Sequence, residues 1–190
     1  MSLAMEDWPR RHRITVHEYH RMAEEGLLAP DARVELIEGE IIDMPPIGIQ
    51  HLAAVNQLNG LLHAALSKRA IVQCQGSIRL GDLSEPQPDF AVLVRREDFY
   101  RTRRAIAADV LLAIEVSETS LRYDLQTKAA LYARHGIQEF WVIDVVGEQT
   151  HVFRAPQGAA YREVSGPGVP GVVTLSALPD TSIDLSSLFR

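Results

Sequence analysis

In "LLAIEVSETSLRYDLQTKAALYARHG", residues 111–136, an apolar run carries Glu115 in its middle, and Lys128 follows on a stretch patterned as a helix. A carboxylate inside a buried strand is costly unless it is paired or binds a metal. Strand alternation puts Leu111, Ala113, Glu115 and Ser117 on one face, and Leu112, Ile114 and Val116 on the other. Glu115 lies near the C-terminal end of its strand, where open α/β sheets expose ligand sites. Asp89 follows a proline at the start of another apolar strand, "PQPDFAVLV", so its side chain can project from the sheet. Asp124, Lys128 and Tyr132 recur at helical spacing and share one face. If that helix folds back over the preceding strand, Lys128 approaches Glu115. Two carboxylates and one ammonium then form a set suited to binding a divalent cation and activating water. The plainer alternatives are a solvated strand end at Glu115 and an exposed Asp124–Lys128 ion pair, worth a few tenths of a kcal/mol.

The lysine is itself unusual. Of the 19 basic residues only Lys68 and Lys128 are lysines. Lys68 falls at a helix end, where a cation suits the dipole. At Lys128 the alternatives are chance and a need for a compact ammonium instead of a planar guanidinium. The net charge of −6 disfavours polyanions and acidic membranes as partners of the whole molecule. Contact with nucleic acid would have to come from a local basic patch or from metal ions. The run "RREDFYRTRR", residues 95–104, holds five arginines and reads either as a backbone-contacting loop or as a solvated one. The single cysteine, Cys74, rules out an internal disulfide and a Cys-based zinc cluster. His12, His17, His20, His63 and His151 show no metal-ligand spacing, and there is no P-loop, G-x-S-x-G or H-E-x-x-H.

These groups need a scaffold. "ITVHEYHRMAEE" predicts a helix capped by Thr15 with Glu18 three residues on. "RVELIEGEIIDMPP" predicts two strands turning near Gly39, and Leu52, Val55, Leu58, Leu62 and Leu66 predict a helix from Gln50 to about Arg69. Strands follow in "AIVQCQGSIRL", broken at Gly76, in "PQPDFAVLV" and in "DVLLAIEVS". The helix "LRYDLQTKAALYARHG" stops at Gly136. "QEFWVIDVV" and "THVFRA" form a hairpin, with "YREV" and "GVVTL" as weaker strands. The order helix–strand–strand–strand–helix–strand, with extra strands at both ends, is an α/β sandwich on a mixed sheet. A leader over residues 1–13, its first few residues a cloning remnant, and a single domain over 14–190 are expected. The leader has no apolar signal core and no run reaches the roughly 18–20 residues of a membrane span, so the expected location is cytoplasmic.

"ELIEGEIIDM", His51 opening a helix, "PDFAVL" and "EVSETSLRYDLQTKAALYARHGIQEFWVIDV" together resemble the Uma2 family (DUF820) of endonuclease-like proteins, over roughly residues 14 to 160. That family belongs to the PD-(D/E)XK, restriction endonuclease-like superfamily. The resemblance implies that fold and an Mg²⁺- (or Mn²⁺-) dependent endonuclease acting on phosphodiester bonds of nucleic acid, DNA in the first instance. Asp89 and Glu115 would be metal-binding carboxylates, with the backbone carbonyl of Val116 a further ligand. The superfamily's lysine two residues after the glutamate is here Ser117, and Lys128 on the next helix matches the position that takes over in the Uma2 pattern. Glu35 would be an accessory acid. His51, Ser117, Asp124 and Tyr132 match motif positions without an assigned role.

Two other readings compete. One is a catalytically idle or weakly active interaction module on the same fold, able to form a homodimer, which the net charge favours. The other is a Schiff-base enzyme built on Lys128, which lacks the apolar pocket that would lower the amine's pKa.

Overall fold

The structure is a computed structural model that describes residues 11–66, 68–168 and 171–189; most of the expected leader lies outside them. The expected capping box opens α1 (Val16–Glu24), the Glu18 carboxylate accepting the Thr15 amide at 2.7 Å. β1 (Val34–Ile37) and β2 (Glu40–Asp43) form an antiparallel hairpin. Its turn holds Glu38 and Gly39 at φ of 50° and 80°, a left-handed pair that suits a two-residue hairpin turn. Gly39 is required there on a second ground: a Cβ would lie 2.6 Å from the Cβ of Arg13.

α2 (Ile49–Leu66) buries Ala54, Val55, Leu58, Leu62 and Leu66. Leu52, expected on the same stripe, is 48% exposed, because the packed part of the helix starts only at Ala54. β3 (Ala70–Cys74) and β4 (Ile78–Arg79) flank Gly76, and β5 (Phe90–Val94), β6 (Ala105–Ile106) and β7 (Val110–Ser117) follow. After β7 come α3 (Leu121–Tyr123), a π turn over Asp124–Lys128 and α4 (Ala129–Arg134), closed by Gly136 at φ 74°. β8 (Glu139–Asp144) and β9 (Gln149–Gln157) make the expected hairpin. The weaker candidates become β10 (Ala160–Gly168) and β11 (Val172–Leu175), and β11 pairs with a strand the sequence did not announce, β12 (Leu178–Asp184).

Six strands form the central sheet in the order β10–β9–β8–β7–β5–β3. Only β7 and β8 run parallel within it, so the sheet is mixed, as expected. A parallel pair cannot be joined by a tight turn, and the α3–α4 segment supplies the crossover. One face packs Leu112, Ile114 and Trp141 against α2 and the C-terminal hairpin; the other packs Ala113 and Phe140 against Leu131 and Tyr132 of α4. Leu111 departs from simple alternation. The ladder slips between Val92–Leu112 and Leu93–Val110, and this bulge turns Leu111 onto the α2 face, away from Glu115. From Leu112 onward the expected alternation holds. No helix among the described residues is long and apolar enough to cross a membrane.

Candidate active site

The outer strand β1, the start of β5, the C-terminal half of β7 and the π turn deliver Glu35, Asp89, Glu115 and Lys128 to one cavity of about 380 Å³. β5 stops pairing with β7 at Phe90–Ile114. Beyond that pair the Asp89 carboxylate replaces a strand neighbour and accepts the Val116 amide at 2.8 Å. Amide and carbonyl of one strand residue share an edge, so the Val116 carbonyl also turns towards Asp89. The Ser117 carbonyl turns the other way and accepts the Val145 amide at 3.0 Å. His51, in the first turn of α2, sets Nε2 3.1 Å from Asp89 Oδ1. That hydrogen bond raises the His51 pKa against the opposing effect of burial.

The Lys128 ammonium lies 2.6 Å from Glu35 Oε2 and 3.0 Å from Glu115 Oε1, and all three side chains are buried. Glu35 Oε2 also accepts the Gln87 amide at 3.1 Å. The Tyr132 hydroxyl donates to Glu115 Oε1 at 2.7 Å. Burial lifts the Glu115 carboxyl to about 8; Lys128 opposes the rise, while Asp124, Asp89 and Glu35 add to it. Burial alone would lower the Lys128 pKa, but Glu115 and Glu35 outweigh it and hold the ammonium above its ordinary range. Lys128 is thus held as an ammonium between the two acids, within ion-pair distance of both. An amine kept charged in this way is no nucleophile, which argues against Schiff-base chemistry. Burial likewise keeps the Tyr132 hydroxyl protonated, well above its ordinary value.

The π turn widens the helix where the site begins, and such turns recur at functional sites. It directs both Asp124 and Lys128 inward. The expected alternative of an exposed Asp124–Lys128 pair is not what forms: Asp124 accepts the hydroxyls of Ser117 at 2.7 Å and Ser120 at 2.5 Å, tying the helix start to the end of β7. Tyr123 also lines the cavity, and its buried hydroxyl has no partner among the described residues. The arginine run is absent from the cavity walls. It leads from the end of β5 to β6, so the length of β5, about 15 Å, separates its first residues from Asp89, while its last residue, Arg104, reaches back to Glu85. Of its other arginines, Arg96 pairs with Asp98 and Arg103 with Asp109.

The Uma2 family profile, described as "Putative restriction endonuclease", matches residues 16–186. The chain belongs to the Uma2 family. Among solved structures, a "putative nuclease belonging to DUF820" from Anabaena variabilis ATCC 29413 superposes with a TM-score of 0.71 at 20% identity, over 93% of this chain and 97% of that one. At that identity the likeness speaks for the fold, which is the restriction endonuclease-like one. No curated protein matches the chain.

In this Uma2 chain no three His, Cys, Asp or Glu side chains among the described residues form a ready metal cage. The reason is visible: the Lys128 ammonium stands between Glu35 and Glu115, and Glu35 is spent on it. What remains is an all-oxygen set of Asp89, Glu115 Oε2 and the Val116 carbonyl. Few protein oxygens with room for water suit Mg²⁺, which dehydrates reluctantly. The donor chemistry thus fits a hard cation. His51 and Tyr132 were recognisable as motif residues, but their partners were not; the Gln87 amide carried no signal in the sequence at all.

Proposed function

We propose that this Uma2 chain is a metal-dependent endonuclease that hydrolyses phosphodiester bonds of nucleic acid, with DNA the substrate to test first. The observation that carries the reading is the buried Lys128 ammonium clamped by Glu35 and Glu115 at a cavity that also holds Asp89. Asp89, Glu115 and the Val116 carbonyl would hold Mg²⁺ or Mn²⁺, which when bound supplies Lewis-acid neutralisation of phosphoryl charge and a more acidic water. The protein's own groups do the rest. The Val116 amide and His51 fix the Asp89 carboxylate from two sides. Glu35, itself fixed by the Gln87 amide, aims the ammonium. Lys128 offers its remaining proton to the water or to the phosphoryl oxygens, where charge develops.

The reading is tested by metal-dependent nicking of plasmid DNA and cleavage of single-stranded oligonucleotides. Asp89→Asn and Glu115→Gln are expected to weaken Mg²⁺ or Mn²⁺ binding by more than about tenfold, the lower end of what loss of a mere supporting contact costs. Calorimetric titration showing equal affinity in wild type and both variants would exclude this ligand set.

One observation favours the interaction-module reading. Six acids, Glu35, Asp43, Asp89, Glu115, Glu118 and Asp124, line the cavity against Arg33 and Lys128. None of the arginines of residues 95–104 is among the residues that line it. A wild type that cleaves nothing under any divalent metal decides for that reading.

A further inference from the structure

Glu115 Oε1 accepts two donors, the Tyr132 hydroxyl at 2.7 Å and the Lys128 ammonium at 3.0 Å. A carboxylate oxygen offers two lone-pair sites, so Oε1 is saturated and Oε2 is the oxygen open to a cation. The two donors differ in stiffness. Lys128 sits on a flexible stem and shares its ammonium with Glu35. Tyr132 is fully buried, with its ring packed against Phe140 at 4.9 Å between centroids, so its hydroxyl arrives on a rigid ring. Hard cations differ in what they ask of a carboxylate. Ca²⁺ accepts both oxygens of one group in an irregular shell of six to eight ligands, whereas Mg²⁺ demands a near-octahedral shell built from one or two carboxylates and water.

We infer that Tyr132 is a positioning residue that confines Glu115 to ligation through one oxygen and thereby makes the site select Mg²⁺ or Mn²⁺ over Ca²⁺. The inference rests on the metal-binding part of the proposed function and not on cleavage. Removing the Tyr132 hydroxyl returns one lone pair to Oε1. Glu115 can then take a cation with both oxygens, and it loses the fixed aim that a small ion needs. Phenylalanine at this position keeps the ring and its packing on Phe140.

The test titrates the metal-free full chain with Mn²⁺ and with Ca²⁺ by calorimetry, in wild type and Tyr132→Phe. Mn²⁺ affinity is expected to fall by about 10–100-fold, the range for losing a group that orients a ligand. Ca²⁺ affinity is expected to hold or rise, so preference for Mn²⁺ falls by the same factor or more. A merely structural tyrosine would weaken both ions equally; an unchanged Mn²⁺-to-Ca²⁺ ratio overturns the inference. Should Tyr132→Phe fail to fold, Lys128→Met removes the other donor to the same oxygen. The preference is expected to fall there too, and an unchanged ratio again overturns it. A wild type that binds neither ion sinks this inference together with the metal reading. A wild type whose preference is relaxed by Tyr132→Phe, but which cleaves no nucleic acid, supports the inference and sinks only the nuclease reading.

Discussion

Lys128→Ala is expected to lower turnover by roughly 10²–10³, the scale of losing one preorganised charge-stabilising group. The ammonium is held by two carboxylates and an unbroken helix and is charged throughout the working pH range, so it reaches the transition state without reorganising. Metal affinity is expected to survive and even improve, because a like charge beside the cation has gone. Retained Mn²⁺ binding also shows that the variant is folded, which separates a catalytic loss from collapse. Lys128→Arg is expected to be impaired as well, since a planar fork does not fit a gap that places one nitrogen 2.6 Å from Glu35 and 3.0 Å from Glu115. Single-turnover cleavage at saturating metal provides the measurement. If wild type and Lys128→Ala cleave equally fast, Lys128 does not act in the chemistry.

Arg154→Met is expected to destabilise the protein by about 3 kcal/mol, near the lower end for breaking a buried ion pair, because water reaches the partly exposed guanidinium. Glu139, at the start of β8, is fully buried. It accepts Arg154 Nη2 at 2.7 Å, the Trp141 indole at 2.8 Å and the Ser176 amide at 2.7 Å, joining β8 and β9 to the C-terminal hairpin. Methionine in place of Arg154 leaves that carboxylate with neutral donors only. The loss corresponds to a Tm lower by about 6–12 °C in a chain of this size. Adding Glu139→Gln to Arg154→Met is expected to recover a good part of it, because the uncompensated charge disappears. Glu139 lies at the end of β8 opposite Asp144, which pairs with Ser117 beside the site, so activity at low temperature should stay near wild type. A Tm within about 2 °C of wild type, under 1 kcal/mol at this size, would show that the cluster contributes nothing.

The parts of this protein written in its sequence are those governed by near neighbours. The Thr15–Glu18 box, the stop at Gly136 and the strand carrying Glu115 were legible because caps and apolar periodicity act over a few residues. The chemistry set was legible in kind, because Glu115 in an apolar run and Lys128 among arginines are each costly or rare where they stand, and the motif blocks point to the family. Partners were another matter. Glu35 and Lys128 are 93 residues apart, and only the packing of the β1–β2 hairpin against the π turn makes them an ion pair. Asp124 was on the right face yet bonds Ser117 and Ser120, because the π turn changes which groups meet across that face. The bulge that turns Leu111 away depends on β5 as a neighbour, and the exclusion of the arginine run from the cavity depends on where β5 and β6 place its two ends. Tertiary structure decided these because a hydrogen bond or ion pair is fixed by distances of about 3 Å. Residue type specifies which groups can meet, and the folded backbone specifies which of them do.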